Sequence, residues 1–226
     1  MGTFHLAVDL GRVRDYTALA VLEVVPPPPS NEMTVQPPAL HVRHLERVKK
    51  GTTYPRIVEL VQRRLAAITT ATSKPSLVID RTGVGVALQD LFEEAGLAPI
   101  GITITGGDAI TQEGTHIRLP KRELVTSVHV AMQSGRLKFA EDLPELQTLI
   151  DELGAFDYTI SPTGHDSYGN DWRKNAHDDL VLAVSMAVWV GDNPSYFRPK
   201  GLFTMPTIVT ARIPSRLERR DWLGRD

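Results

Sequence analysis

Cysteine is missing altogether from the 226 residues, which excludes disulfides and thiolate metal sites and permits a reducing compartment. Long hydrophobic runs are missing too. The longest, Leu180 to Val190, falls well short of the roughly 20 residues needed to cross a bilayer. Met1-Gly2-Thr3 leads straight into a strand-like segment with no signal-type pattern, so a cytoplasmic location is expected. Neither sign of charge dominates. The formal net charge of −2 does not advertise nucleic-acid binding, nor does it exclude it, because clustered carboxylates lower the total while basic loops flank them. There is no internal repeat and no G-x-x-x-x-G-K-S/T phosphate loop. With 42% hydrophobic and 23% charged residues, the chain can bury a full core as one α/β domain, or one domain with a tail.

Three acidic positions stand out. Asp9 closes the apolar run FHLAVD, Asp80 closes SLVID, and Asp178-Asp179 open DDLVLAVSMAVWV. β-Branched and bulky residues before Asp9 and Asp80 predict buried strands with the carboxylates at their ends. The third run is too long for one strand and predicts a buried helix. Carboxylates gathered from distant stretches repel one another unless a cation neutralises them. Mg²⁺ suits that role, since it takes a few carboxylates together with water and phosphate oxygens. Each acid alone has a plainer reading: Asp9 as a turn former, Asp80 as a helix cap, Asp178 or Asp179 as an N-cap.

Along the chain, residues 3–9, 17–25 and 40–48 predict three consecutive antiparallel strands. Pro26 to Pro29 stop the second, and the Pro-rich segment to Pro38 forms a loop. Tyr54 to Ile68 has helical spacing, Leu77 to Asp80 forms a fourth strand, and a helix through Leu88 and Phe92 ends near Gly96. Pro99 to Thr105 gives a fifth strand. A polar segment follows Gly106-Gly107. Then come a helix from about Lys121 to Gln133, a short extended piece at Leu137–Phe139, a helix from Leu143 to Leu153, and a hairpin or exposed loop over 156–169. The buried helix closes the domain at Gly191, and residues 192–226 form a loosely structured tail.

This order, three antiparallel strands followed by alternating helices and parallel strands, resembles the ribonuclease H-like fold: a mixed sheet flanked by helices. There the first and fourth strands lie side by side and the final helix brings a third acid. The resemblance narrows to the nuclease domain of the large terminase subunit of tailed bacteriophages. Three stretches carry it: Asp9-Leu10-Gly11 with Asp15-Tyr16-Thr17-Ala18, Leu77-Val78-Ile79-Asp80 with Gly83-Val84-Gly85, and His177-Asp178-Asp179-Leu180-Val181-Leu182-Ala183. Lys121, Leu124, Gly135-Arg136-Leu137 and Glu152-Leu153 follow the family's spacing. The likeness spans about residues 3–191, and the Pro-rich segment at 26–38 departs from it as an insertion.

The resemblance implies a metal-dependent DNA endonuclease that cuts concatemeric viral DNA at packaging, using two Mg²⁺ or Mn²⁺ ions, in the cytoplasm of the infected host cell. Asp9, Asp80 and Asp179 would be the catalytic metal ligands, and Asp178 either a ligand or a group that orients one. Without a phosphate loop, the packaging motor would lie elsewhere and the chain would cut without ATP. Implied partners are double-stranded DNA, the terminase ATPase domain, the portal and the small terminase subunit, with no membrane. Arg81, Arg12, Lys121, Arg122 and Lys174 are candidate DNA-backbone contacts, with Arg14, Arg118 and Arg173 nearby. His177 could contact phosphate, and Tyr168 and Trp172 could lie against DNA or pack in a surface hairpin. Three other readings fit parts of the pattern: a Holliday junction resolvase-like nuclease, an actin-like nucleotide-binding domain, and a noncatalytic DNA or portal docking module.

Overall fold

The computed structural model describes residues 2–11, 15–29, 36–83, 85–155, 158–160, 166–168 and 178–197. Strands β1 (Thr3–Asp9), β2 (Thr17–Val25) and β3 (Ala39–Val48) form an antiparallel meander. Helix α1 (Tyr54–Ile68) leads to β4 (Ser76–Asp80), α2 (Gly85–Glu94) and β5 (Ile100–Thr105). Strands β6 (Thr111–Glu113) and β7 (His116–Pro120), helix α3 (Lys121–Gln133), strand β8 (Leu137–Phe139) and helix α4 (Leu146–Ala155) follow. A small pair, β9 (Tyr158–Ile160) with β10 (Asp166–Tyr168), precedes helix α5 (Asp179–Asp192) and a 3-10 turn at Pro194–Phe197.

Eight strands make one mixed sheet in the order β6-β7-β5-β4-β1-β2-β3-β8. The pairs β1–β4, β4–β5 and β5–β7 are parallel, as alternation with helices predicts. Three expectations need correction. The polar segment after Gly107 contains β6 and β7, which extend the sheet: Ile117 and Leu119 alternate into the core while His116 and Arg118 point outward. Helix α4 starts at Leu146 and not at Leu143, because Pro144 is followed by Glu145 in the left-handed region (φ 61°). Residues 194–197 of the expected tail pack inward, with the Tyr196 and Phe197 rings 5.2 and 6.4 Å from Trp189.

Alternation along the strands divides the core into two layers. Leu6, Val8, Leu19, Val21, Leu77 and Ile79 face α1 and α2, where Ile57, Val61, Leu88 and Phe92 meet them. Ala7, Ala18, Ala20, Leu22, Val78 and Ile102 face α5. Helix α5 is apolar around its whole circumference because the sheet covers one side and α3 and α4 the other. A bulge interrupts the β2–β3 ladder: Val21 pairs with His44 and Leu22 with Val42, so Arg43 has no partner across the ladder. The extra residue reverses the alternation of β3, and Leu45 joins the α5 layer with Leu40 and Val42. Gly135, in the left-handed conformation (φ 67°), ends α3 and turns the chain into β8. Arg136 then clamps the sheet edge to the end of α5, with two 2.8 Å bonds to the Asp192 carboxylate.

Candidate active site

Parallel pairing of β1 with β4 registers Val8 against Ile79, and the next residue on each strand is an aspartate. Asp9 and Asp80 share the parity of Ala7 and Val78, so both carboxylates lie on the α5 side. The two carboxylates adjoin, so that a proton held by Asp9 can be donated to Asp80. The same rung continues across the sheet, with Asp9 opposite Ala18 and Ala18 opposite Arg47. Four neighbouring strands thus present Asp80, Asp9, Ala18 and Arg47 in a row.

Helix α5 starts above this row. Asp178 is its N-cap in a non-helical conformation (φ −127°, ψ 19°), and Asp179 is its first residue. The non-helical cap allows two adjacent acids to address one site, which an ideal turn would hold about 100° apart. Asp179 Oδ2 accepts from Arg47 Nη2 at 3.2 Å, and Asp178 Oδ2 accepts from Lys121 Nζ at 3.0 Å. Glu152 of α4 completes the group. Its Oε2 accepts the Leu180 and Val181 N–H groups of α5 at 2.9 and 3.0 Å, and its Oε1 lies 3.0 Å from Arg47 Nη2. A carboxylate at this position satisfies two otherwise open donors and complements the helix dipole.

Asp9, Asp80, Asp179 and Glu152 are only 7, 9, 7 and 5% exposed. Burial pushes Asp9 well above the usual carboxylate range, and the charges of Asp80, Asp179 and Asp178 push it further. Asp80 is raised by burial, although hydrogen bonds from Thr82 and Asp9 and the charge of Lys121 oppose the shift. Thr82 N–H holds Asp80 Oδ1 at 2.7 Å, and Thr82 Oγ1 accepts from Ile104 N at 2.9 Å, fixing the turn to β5. Burial raises Glu152 to about 7, overcoming its two backbone donors and Arg47.

The donors are hard oxygens, the chemistry that Mg²⁺ and Mn²⁺ prefer. Among the described residues no group of three or more His, Asp or Glu side chains is spaced to hold an ion as it stands. Asp178 and Asp179 are turned toward Lys121 and Arg47, while Asp9 and Asp80 already adjoin. The fit to a cation therefore rests on donor type and on the mutual repulsion of carboxylates around Asp9.

The basic candidates separate. Lys121 belongs to the cluster. The methylenes of Arg81 lie over Gly101 beside Gln89 of α2, on the opposite face of the sheet, and its buried Nε has no hydrogen-bond partner. Arg122 is tied to Asp108 at 2.7 Å, and Arg118 is exposed on β7. Arg12, Arg14, Trp172, Arg173, Lys174 and His177 lie outside the described residues. Arg47, Glu152 and Thr82 were not legible as site residues. Arg47 reads as an ordinary strand charge and Glu152 as the polar face of an amphipathic helix, and only tertiary pairing across 105 positions joins them.

Two acids side by side on the first and fourth strands, crossed by a helix that starts with two more, are the arrangement of the ribonuclease H-like fold. Among solved structures the chain is similar to the large terminase nuclease from thermophilic phage G20c, with TM-score 0.57 and 19% identity over 82% of this chain and 81% of that one. The same nuclease with bound cobalt matches equally, at TM-score 0.57 and 19% identity over 83% and 80%. The g2p (large terminase) nuclease domain of bacteriophage SPP1 with bound Mn matches at TM-score 0.47 and 8% identity over 82% and 84%. At 19% identity the likeness to the G20c nuclease establishes the fold alone. No protein-family model and no curated protein matches the sequence.

Proposed function

We propose that the chain is a metal-dependent DNA endonuclease, the nuclease part of a phage large terminase, cutting concatemeric viral DNA during packaging. The supporting observation is the convergence of Asp9, Asp80, Asp178 and Asp179 at one end of a sheet whose fold matches nucleases of that machinery. Double-stranded DNA is the proposed substrate, and the host cytoplasm the proposed location. The ATPase domain, portal and small subunit are the proposed partners. Residues 1–191 are the proposed nuclease domain and 192–226 its proposed tail, of which Asp192 still belongs to α5 and Tyr196 and Phe197 pack on Trp189.

Asp9, Asp80 and Asp179 would hold the ions, with Asp178 as a further ligand or an orienting group. When bound, two divalent ions supply an activated water and stabilise the leaving oxygen of an in-line displacement at phosphorus. The chain's own contribution is rigidity and charge. Asp9 and Asp80 are fixed by interior strands, and Thr82 N–H holds one Asp80 oxygen, so these two donors need little reorganisation. Lys121, half-buried beside Asp178, is placed to meet a phosphate at the mouth of the site.

Plasmid cleavage with Mg²⁺ or Mn²⁺ tests this reading. Asp9→Asn and Asp80→Asn are each expected to lower the rate by roughly a thousandfold, as the loss of several kcal/mol of metal-borne stabilisation implies. Cleavage retained in both variants would sink the site, and DNA binding without cleavage by the parent would leave a docking module. Asp179→Asn should be more damaging than Asp178→Asn, because Asp179 is buried while Asp178 is half-exposed; equal rates would reverse that ranking.

A further inference from the structure

Arg47 of β3 stands against two of the acidic side chains of the site. Its Nη2 lies 3.2 Å from Asp179 Oδ2 and 3.0 Å from Glu152 Oε1. Its guanidinium carbon is 4.3 Å from the centroid of the Tyr16 ring. The side chain is 14% exposed, and its buried Nε has no hydrogen-bond partner. Glu152 is held in place through Oε2 by two backbone donors at the start of α5, while Oε1 faces Arg47 Nη2 with no hydrogen-bond partner of its own. Two of the three Arg47 contacts therefore survive if Asp179 leaves. Among the described residues, five acidic side chains (Asp9, Asp80, Glu152, Asp178 and Asp179) here face two paired cations, Arg47 and Lys121.

We propose that Arg47 is a positioning residue that holds Asp179 in place of the divalent ion and yields it when the ion binds, remaining anchored on Glu152 and Tyr16. The inference rests on the metal-nuclease reading above. The β3 bulge is what turns Arg47 to this face, so the placeholder is built into the sheet and does not depend on a loop. Arg47 competes with the ion for one carboxylate, and its removal should make ion binding tighter. A residue with a merely structural role would make it weaker or leave it unchanged when removed.

Calorimetric Mn²⁺ binding to the full chain, without DNA, is the test. Arg47→Gln is expected to tighten Mn²⁺ binding by roughly fivefold, the scale of a partly exposed ion pair. Lys50→Gln removes an equal charge from the other contact of the Tyr16 ring, 4.3 Å from its centroid, and should change affinity by less than about twofold. Glu152→Gln leaves Asp179 as the remaining carboxylate of Arg47 and should weaken Mn²⁺ binding; it decides the matter if Arg47→Gln does not fold. Unchanged or weaker binding in Arg47→Gln, an equal gain in Lys50→Gln, or tighter binding in Glu152→Gln would overturn the proposal. A parent chain that neither binds Mn²⁺ nor cuts plasmid would instead defeat the nuclease reading. A parent that does both, beside an Arg47→Gln variant that binds no tighter, would defeat the placeholder alone.

Discussion

On the side of the sheet covered by α1 and α2, the two meander strands β1 and β2 present Leu6, Val8, Leu19 and Val21; on the side covered by α5 the same strands present Ala7, Ala18 and Ala20 toward the carboxylate end, and bulk returns only farther off, at Leu22 and Val24. The first layer is filled by bulky side chains from both partners, as interiors close-packed for stability are. In the second, small residues on the strands leave the bulk to the helix, so the start of α5 comes down close to the rung that holds Asp9 and Arg47. Bulk stabilises one face, and its absence assembles the site on the other.

Neighbouring substitutions on β2 can break that comparison. Ala18→Leu places a large side chain between Asp9 and Arg47 and costs about 1–3 kcal/mol of stability by overpacking. It should lower cleavage by roughly a hundredfold through displacement of Asp179. Leu19→Ala, one residue on and facing α1, costs about 2–5 kcal/mol and should leave the rate unchanged below the melting temperature. Denaturant unfolding and plasmid cleavage run in parallel would show whether the less destabilising change is the more inactivating; similar rates in the two variants would erase the distinction.

Titration sharpens the contrast between the ends of β1. At the carboxylate end, Glu152 keeps its proton to about pH 7 in the folded state against 4.5 unfolded, so its contribution is full below 4.5 and is lost as pH rises to 7. Asp9 and Asp80 act in the same direction. Near the other end, burial lowers His5 from 6.5 to about 4, so its contribution is full above 6.5 and is lost as pH falls to 4. In chelator, Glu152→Gln should flatten the fall of unfolding free energy between pH 4.5 and 7, whereas His5→Phe should flatten the fall on acidification from 6.5 to 4. Identical pH profiles in the parent and both variants would count against these assignments.

The smallest effect is expected at the far end of α5. A Cβ on Gly191 would lie 2.8 Å from Val24 Cγ2 and 3.3 Å from Leu22 Cδ2. Gly191→Ala gains about 1 kcal/mol of helix propensity and loses about 1–3 to the clash, for a net cost of about 1. Cleavage should be unaffected, and a rate loss comparable to that of Ala18→Leu would mean that the whole helix moves as one body.

Much of this was readable from periodicity. The meander, the four acidic positions and the buried helix all follow from strand alternation and from an apolar run too long for a strand. Strand β7 escaped because His116 and Arg118 break the apolar signal and Pro120 runs directly into α3, although the alternation of Ile117 and Leu119 was there to be found. Arg47 escaped for a more instructive reason. Strict alternation from Leu40 and Val42 assigns it to the α1 face, and only the extra ladder residue Arg43 reverses that parity. Arg81 follows Asp80 directly in sequence, yet adjacency on a strand means opposite faces, and its side chain lies by Gln89 of α2.

Asp9 and Asp80 ride on β1 and β4, interior strands with β5, β7 and β6 to one side and β2, β3 and β8 to the other. Fraying works inward from the borders of a sheet, so thermal agitation can loosen β6 or β8 without parting the two acids. The chemistry should consequently survive warming with little erosion and then fail at once, when the domain melts cooperatively.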